Sequence, residues 1–161
     1  PVLKAVAGPK TRLITPPQLL KALPAHLQKQ TTGLASGKET DTIGLNISAV
    51  ASYNLTPARK RYHPKGQGNG YVLTIGGKRI YLSGDTEGTP EMLALKDIDV
   101  AFLCMNLPYT MDVAAAAKAV RGFKPKVVYP YHYRGQDTAM FKKLVGTDLG
   151  IEVRLHDWYS R

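Results

Sequence analysis

The run Tyr71-Val72-Leu73-Thr74-Ile75-Gly76-Gly77-Lys78-Arg79-Ile80-Tyr81-Leu82-Ser83-Gly84-Asp85-Thr86 decides how the rest of the chain is read. Two β-rich segments, 71–75 and 79–82, flank a Gly-Gly pair that favours a tight primed turn, so the run predicts a hairpin. Asp85 then follows the second strand on a glycine turn, which sets its carboxylate at the edge of a sheet, where α/β folds place functional groups. Upstream, Leu45, Ile47, Ala49 and Ala51 alternate with smaller or polar residues and predict a half-buried strand. Residues 54–70 between these strands read as a long, basic, glycine-rich loop.

Downstream of the hairpin, helices and strands alternate. Thr89-Pro90-Glu91 opens a short helix through Leu95, and 99–105 is a buried strand. An alanine-rich helix over 112–121 is stopped by Gly122, and 126–129 is a strand. A helix over 138–145 and a strand over 151–155 complete the pattern. At the other end, Gly8 and Pro9 break residues 1–15 into short apolar pieces, with a short strand at 12–14. Thr15 is placed as an N-cap before Pro16 and a helix through Leu23, and 31–42 reads as loop. A hairpin-built portion followed by βαβαβ predicts one α/β domain.

The 161 residues fit one domain, and 43% hydrophobic content is enough for a real core. No apolar run is long enough to cross a membrane. Cys104 is the single cysteine, which excludes a disulfide framework and a cysteine zinc finger. No secretory signal precedes the domain, which points to the cytoplasm, although one cysteine also suits the periplasm. Residue 1 is proline, so an upstream segment removed or left out is expected. Twenty-two Lys and Arg against 12 carboxylates give a net charge of +10 and favour an anionic partner.

Three segments carry reactive groups. Asp85 follows one strand, and His132 follows another in Tyr129-Pro130-Tyr131-His132-Tyr133. His63 lies in the basic loop Arg59-Lys60-Arg61-Tyr62-His63-Pro64-Lys65. A carboxylate and imidazoles at strand ends suit zinc, manganese or iron, and such an ion activates bound water. Taken singly, Asp85 caps a turn, His132 is a core histidine and His63 is incidental. Gly66-x-Gly68-x-Gly70 precedes a strand and is therefore no dinucleotide loop, but it can line a substrate pocket. Tyr109, Tyr131, Tyr133 and Trp158 read as core or pocket wall. Cys104 reads as inert, and His26 and His156 as structural.

The runs Asn69 to Leu73, Lys78 to Gly88, Asp97 to Leu103, Leu107-Pro108-Tyr109-Thr110-Met111 and Lys124 to Tyr133 resemble the metallo-β-lactamase superfamily. The branch they are most similar to holds metal-dependent hydrolases such as the ascorbate-phosphate lactonase and the N-acyl ethanolamine phospholipase D. The resemblance implies a four-layer αββα sandwich. It implies that Asp85 bridges metals, that His132 is the last histidine ligand, and that either His63 or Asn54 fills a third position. The family's His-x-His-x-Asp-His motif is absent. The chain therefore resembles the C-terminal part of such a protein, with mostly one sheet, and from its own residues it is expected to bind at most one divalent metal, weakly. A face left open by the missing sheet would be covered by another copy or a completing chain.

Three functions follow as expectations. The first is a metal-dependent hydrolase of an ester, lactone or phosphodiester, catalytic only if the metal site is completed. Asp85 and His132 would act there, and Arg59, Arg61, Lys65 and Tyr109 would bind a small anionic substrate. The second is a catalytically incomplete remnant kept for binding or assembly. The third is a nucleic-acid-processing protein, for which the basic charge is the argument.

Overall fold

The hairpin read from 71–82 sits in the middle of a sheet that grows from it in both directions. The structure, a computed structural model, describes residues 2–159. In chain order the elements are α1 (Val2–Val6), β1 (Leu13–Thr15), a 3-10 turn (Pro17–Ala22), α2 (Ala25–Gln28), β2 (Thr31–Gly33), β3 (Glu39–Thr42) and β4 (Leu45–Ser52). After a 3-10 turn (Pro57–Arg59) come β5 (Gly68–Ile75), β6 (Lys78–Leu82), α3 (Pro90–Leu93), β7 (Val100–Cys104), α4 (Val113–Phe123), β8 (Val127–Tyr131), α5 (Thr138–Val145) and β9 (Glu152–Val153).

Strands β3 to β9 form one seven-stranded sheet in sequence order, and β1 and β2 form a small parallel pair. Pairing is antiparallel from β3 to β6 and parallel from β6 to β9. Strands β4, β6, β7 and β8 therefore all end at the same edge of the sheet. That edge receives Asp85 and His132 on the loops after β6 and β8.

One sheet face is fully covered. Val72, Tyr81, Ala101, Val128 and Val153 stand in register across it and pack with Met92, Val120, Phe123 and Phe141 of the helices. The opposite face carries Leu73, Ile80, Leu82, Phe102 and Tyr129 and is only half-buried. Leu34 and Ile14 cover its β4–β5 corner beside Ile47 and Tyr71. At its far end Phe102 stacks on Tyr129 at 5.3 Å, and Trp158 folds back edge-on to both, its indole N–H donating to the Pro130 carbonyl at 2.9 Å.

The structure departs from the sequence reading at four places. Within 31–42, expected as loop, lie β2 and β3, whose polar residues pair with β1 and β4. Thr15 ends β1 rather than capping a helix, because Pro16 holds the N-cap position of the 3-10 turn and makes no side-chain cap bond. Gly122 lies inside α4 rather than after it. A Cβ there would stand 2.7 Å from Leu93 Cδ2, so glycine serves the approach of α3, and Lys124 at φ +50 ends the helix. The last strand shortens from 151–155 to two residues. The helix at 138–145 and the capped start at Thr89, whose hydroxyl accepts from Met92 N–H at 3.1 Å, follow the reading.

Tyr81 is a polar flaw in this core. It is fully buried against Phe123, and its hydroxyl has no hydrogen-bond partner among the described residues. Burial also pushes its pKa well above the ordinary tyrosine value. Tyr81→Phe removes the orphaned group at constant shape and should raise stability by about 1–2 kcal/mol in urea unfolding. A loss of stability would show that the hydroxyl is paired in solution.

Candidate functional site: four loops on one sheet edge

Asp85 follows β6 after Gly84, which holds φ +62. A Cβ at Gly84 would sit 2.8 Å from the Asn69 carbonyl, so the turn is open only to glycine. The loop behind Asp85 is tied on two sides. Ser52 Oγ donates to the Asp85 carbonyl at 2.7 Å, and Thr86 Oγ1 accepts from Tyr53 N–H at 3.0 Å. From β7, Cys104 N–H donates to Ser83 Oγ at 3.1 Å, and the Cys104 thiol meets Thr86. Burial pushes that thiol up, so Cys104 is a packing residue with a weak hydrogen bond.

His132 turns back toward Asp85 from the end of β8. Its φ is +48, and those of Arg134 and Gly135 are +38 and +76, a left-handed turn that costs a non-glycine residue about 1–2 kcal/mol. The strain aims the ring: Nδ1 lies 2.8 Å from Asp85 Oδ1. Asn106 Nδ2 donates to Nε2 at 2.9 Å, which makes Nε2 the acceptor and places the ring proton on Nδ1, donating to Asp85. Asn106 Oδ1 is buried without a hydrogen-bond partner among the described residues. Asn106 follows β7, and the sequence reading passed over it because a lone asparagine carries no spacing signal.

His63 comes to the same carboxylate from the basic loop, with Nε2 3.7 Å from Asp85 Oδ2. Asn54, the alternative at that position, is buried; its Nδ2 is engaged, while its Oδ1 has no hydrogen-bond partner among the described residues. Its Nδ2 donates to the carbonyls of Arg59 at 2.9 Å and Tyr109 at 2.6 Å, and its backbone N–H donates to the His63 carbonyl at 2.8 Å. It thus folds the loop so that His63 faces Asp85. His26 lies exposed in α2, and His156 packs on Trp158 at 4.5 Å; neither joins the cluster.

Glu87 latches the loop from below. It is buried, its Oε2 accepts the N–H groups of Leu55 at 2.6 Å and Thr56 at 2.7 Å, and its Oε1 accepts from Arg59 at 2.9 Å. Arg59, expected to face substrate, is therefore spent on Glu87. Lys65 is shared between Glu91 at 3.5 Å and the Tyr53 ring at 4.8 Å. Arg61 and Tyr109, by contrast, lie at the rim. An apolar cleft of about 430 Å³ opens behind the latch, lined by Leu55, Glu87, Leu93, Met111 and Lys118 among others, and does not include Asp85 or either histidine.

The donor chemistry of Asp85, His132 and His63 fits a divalent cation, but the number of convergent donors does not fill a coordination shell. Among the described residues no group of three or more His, Cys, Asp or Glu side chains is arranged to hold an ion. Nor is any helix among them long and apolar enough to cross a membrane.

Burial pushes the Glu87 carboxyl up, but hydrogen bonds from Thr56, Arg59 and Leu55 outweigh it and hold the group below the ordinary value of 4.5. A depressed folded value means that the latch is fully present above that ordinary value and is lost as pH falls through the folded one. Glu87→Ala leaves two N–H groups and a guanidinium unpaired. It should cost about 2–3 kcal/mol in chemical unfolding and expose the 54–67 loop to protease. It should also flatten the fall of stability below the ordinary glutamate value, and an unchanged acid profile would refute the latch.

Comparison with known proteins identifies the family and the fold. The model of the β-lactamase superfamily domain covers residues 14–132. A UPF0173 metal-dependent hydrolase of Pyrococcus abyssi is 35% identical over 77% of this chain and 58% of its own length. One from Pelotomaculum thermopropionicum is 32% identical over 94% of this chain and 71% of its own. The chain thus spans little more than half the length of the Pyrococcus relative. A crystal structure from Parabacteroides distasonis, named for metal-dependent hydrolysis, superposes with a TM-score of 0.87 at 44% identity, over 95% of this chain and 67% of that one. The metallo hydrolase Igni18 of Ignicoccus hospitalis shares the fold, with a TM-score of 0.76 at 23% identity. A mixed sheet with Asp85 and His132 meeting at one edge, within a matched stretch of this extent, places the chain in the metallo-β-lactamase superfamily.

Proposed function

We propose that this chain contributes to metal-dependent hydrolysis of a small anionic ester, lactone or phosphodiester. The observation that carries the reading is Asp85 as common acceptor, with His132 Nδ1 2.8 Å from one oxygen and His63 Nε2 3.7 Å from the other. Asp85, His132 and His63 are the residues that would hold the ion, zinc or else manganese or iron. An ion held there would supply a water acidified toward neutral pH and would polarise the substrate oxygen. The protein's own part is to set the donors. Asp85 fixes the ring of His132 through Nδ1, Nε2 would reach an ion only in place of its bond from Asn106, and Asn54 and Glu87 hold His63 beside the carboxylate.

Three donors at most make a weak site for a single ion from this chain alone. The remaining ligands come from outside these residues, from a further segment or a second chain seated on the half-covered sheet face. The relatives' greater length supports that reading, and so does the apolar character of Leu82, Phe102 and Tyr129. The donor count also favours a second reading, a remnant that retains the fold without turnover.

Zinc uptake, followed by calorimetry, should be weak and at most one ion per chain. Asp85→Ala should abolish it. His132→Gly should abolish it too, without loss of stability, because glycine relieves the positive φ. Zinc binding unchanged in both variants overturns the site. Binding without turnover of aryl esters and phosphodiesters, with any of the three metals and in the completed protein, selects the remnant.

A further inference from the structure

Beside the site stand two guanidinium groups that no carboxylate among the described residues neutralises. Tyr62, beside His63, and Tyr109, on the loop after β7, meet edge-to-face with centroids 5.0 Å apart. Arg61 lies 4.8 Å over the Tyr62 ring and donates to its hydroxyl at 2.8 Å. Arg134 lies 5.6 Å over the Tyr109 ring. Arg61 stands two residues before His63, and Arg134 two residues after His132, so the aromatic pair bridges the loops that bring both imidazoles to Asp85.

Three of the other arginines are held in ion pairs. Arg59 is bound to Glu87, Arg121 to Asp148 and Arg154 to Glu152. Among the described residues, neither Arg61 nor Arg134 meets a carboxylate, and Lys65 beside them is held by Glu91. Stacking on a ring leaves the edge N–H groups of a guanidinium pointing outward and limits its rotation. This is the pre-organised state that binds an oxyanion through paired hydrogen bonds. The ring surface between the two groups offers an apolar seat of the kind that recognises the organic part of a ligand.

We infer that Arg61 and Arg134, mounted on the Tyr62–Tyr109 pair, form an oxyanion clamp that selects small organic anions bearing a phosphate or carboxylate group and a flat apolar portion. Two guanidiniums favour the doubly charged phosphate monoester over the singly charged carboxylate. The clamp deepens the proposed function, since it rests on Asp85 and His132 marking the place of reaction. It also moves anion recognition away from Arg59 and Lys65 to a residue, Arg134, that the sequence alone did not single out.

The test is titration of the metal-free chain with phenyl phosphate, benzoate and phenol, followed by the ring resonances of Tyr62 and Tyr109. Phenyl phosphate should bind most tightly, benzoate more weakly and phenol least. Arg61→Ala and Arg134→Ala should each weaken phenyl phosphate about tenfold or more. Arg134→Lys should restore only part of the affinity, and Lys143→Ala on α5 should change nothing. Thermal unfolding of each variant keeps loss of the fold apart from loss of the clamp. Equal affinity in the arginine variants, no binding by the parent chain, or phenol binding as well as phenyl phosphate overturns the proposal. Zinc uptake separates it from the metal reading. Asp85→Ala that loses zinc but keeps phenyl phosphate supports a clamp independent of the ion. A parent chain that binds phenyl phosphate and no zinc removes the metal site and leaves the clamp standing.

Discussion

A negative charge sealed beneath a surface loop is the constraint on which the site depends. Glu87 is 6% exposed and would be costly to bury alone. It is stable there because two backbone N–H groups and the Arg59 guanidinium converge on it. Those same bonds commit the chain at residues 55, 56 and 59 to one path. With Asn54 tying the loop to Tyr109, they leave His63 no choice but to face the β6 turn. Glu87 lies two residues beyond Asp85, so the turn that presents the carboxylate also anchors the loop that brings an imidazole to it. The geometry of the site is thus local to a few bonds rather than spread over the sheet.

Strand direction supplies the rest. Because β4, β6, β7 and β8 end at one edge, four loops emerge side by side there, and three side chains, two of them buried, cross-link them. Asn54 joins the loop after β4 to that after β7. Glu87 joins the loop after β6 to that after β4. Gln136 joins the loop after β8 to that after β7, donating to the Met105 carbonyl at 2.5 Å and the Met111 carbonyl at 3.2 Å. Asp85 and His132 close the set. The sheet's other face lacks such closure. Val100, Phe102 and Tyr129 are only partly shielded there, a state that apolar surface keeps only when something further covers it.

Much of this was legible in the sequence where a short-range rule decides. Gly76-Gly77 set the hairpin, Thr89-Pro90 set the start of α3, and Asp85 and His132 were found because each directly follows a strand. What stayed hidden has a common cause, in that it depends on partners far along the chain. Nothing in Thr31-Thr32-Gly33 announces a strand until Leu13-Ile14-Thr15 lies beside it. Gly122 reads as a stop signal unless Leu93 is known to press on it. Arg59 and Arg61 are alike in sequence, two cations in one basic run. Only the position of Glu87 makes the first structural and leaves the second free.

That last distinction governs the electrostatics of the edge. The net charge of +10 says that cations are in excess without saying where. The fold assigns the carboxylates nearest the loops first, Glu87 to Arg59, Glu91 to Lys65 and Tyr53, and Asp85 to two imidazoles. The ion pairs of Glu87 and Glu91 use up negative charges that would otherwise screen Arg61 and Arg134. The aromatic pair beneath them then fixes their position without neutralising them, because a ring face attracts a cation but carries no net charge. The positive field at the mouth is therefore a product of the latches that shape the site. Breaking a latch would alter two things together, the aim of His63 and the pairing of Arg59, which would become a third free guanidinium beside the other two.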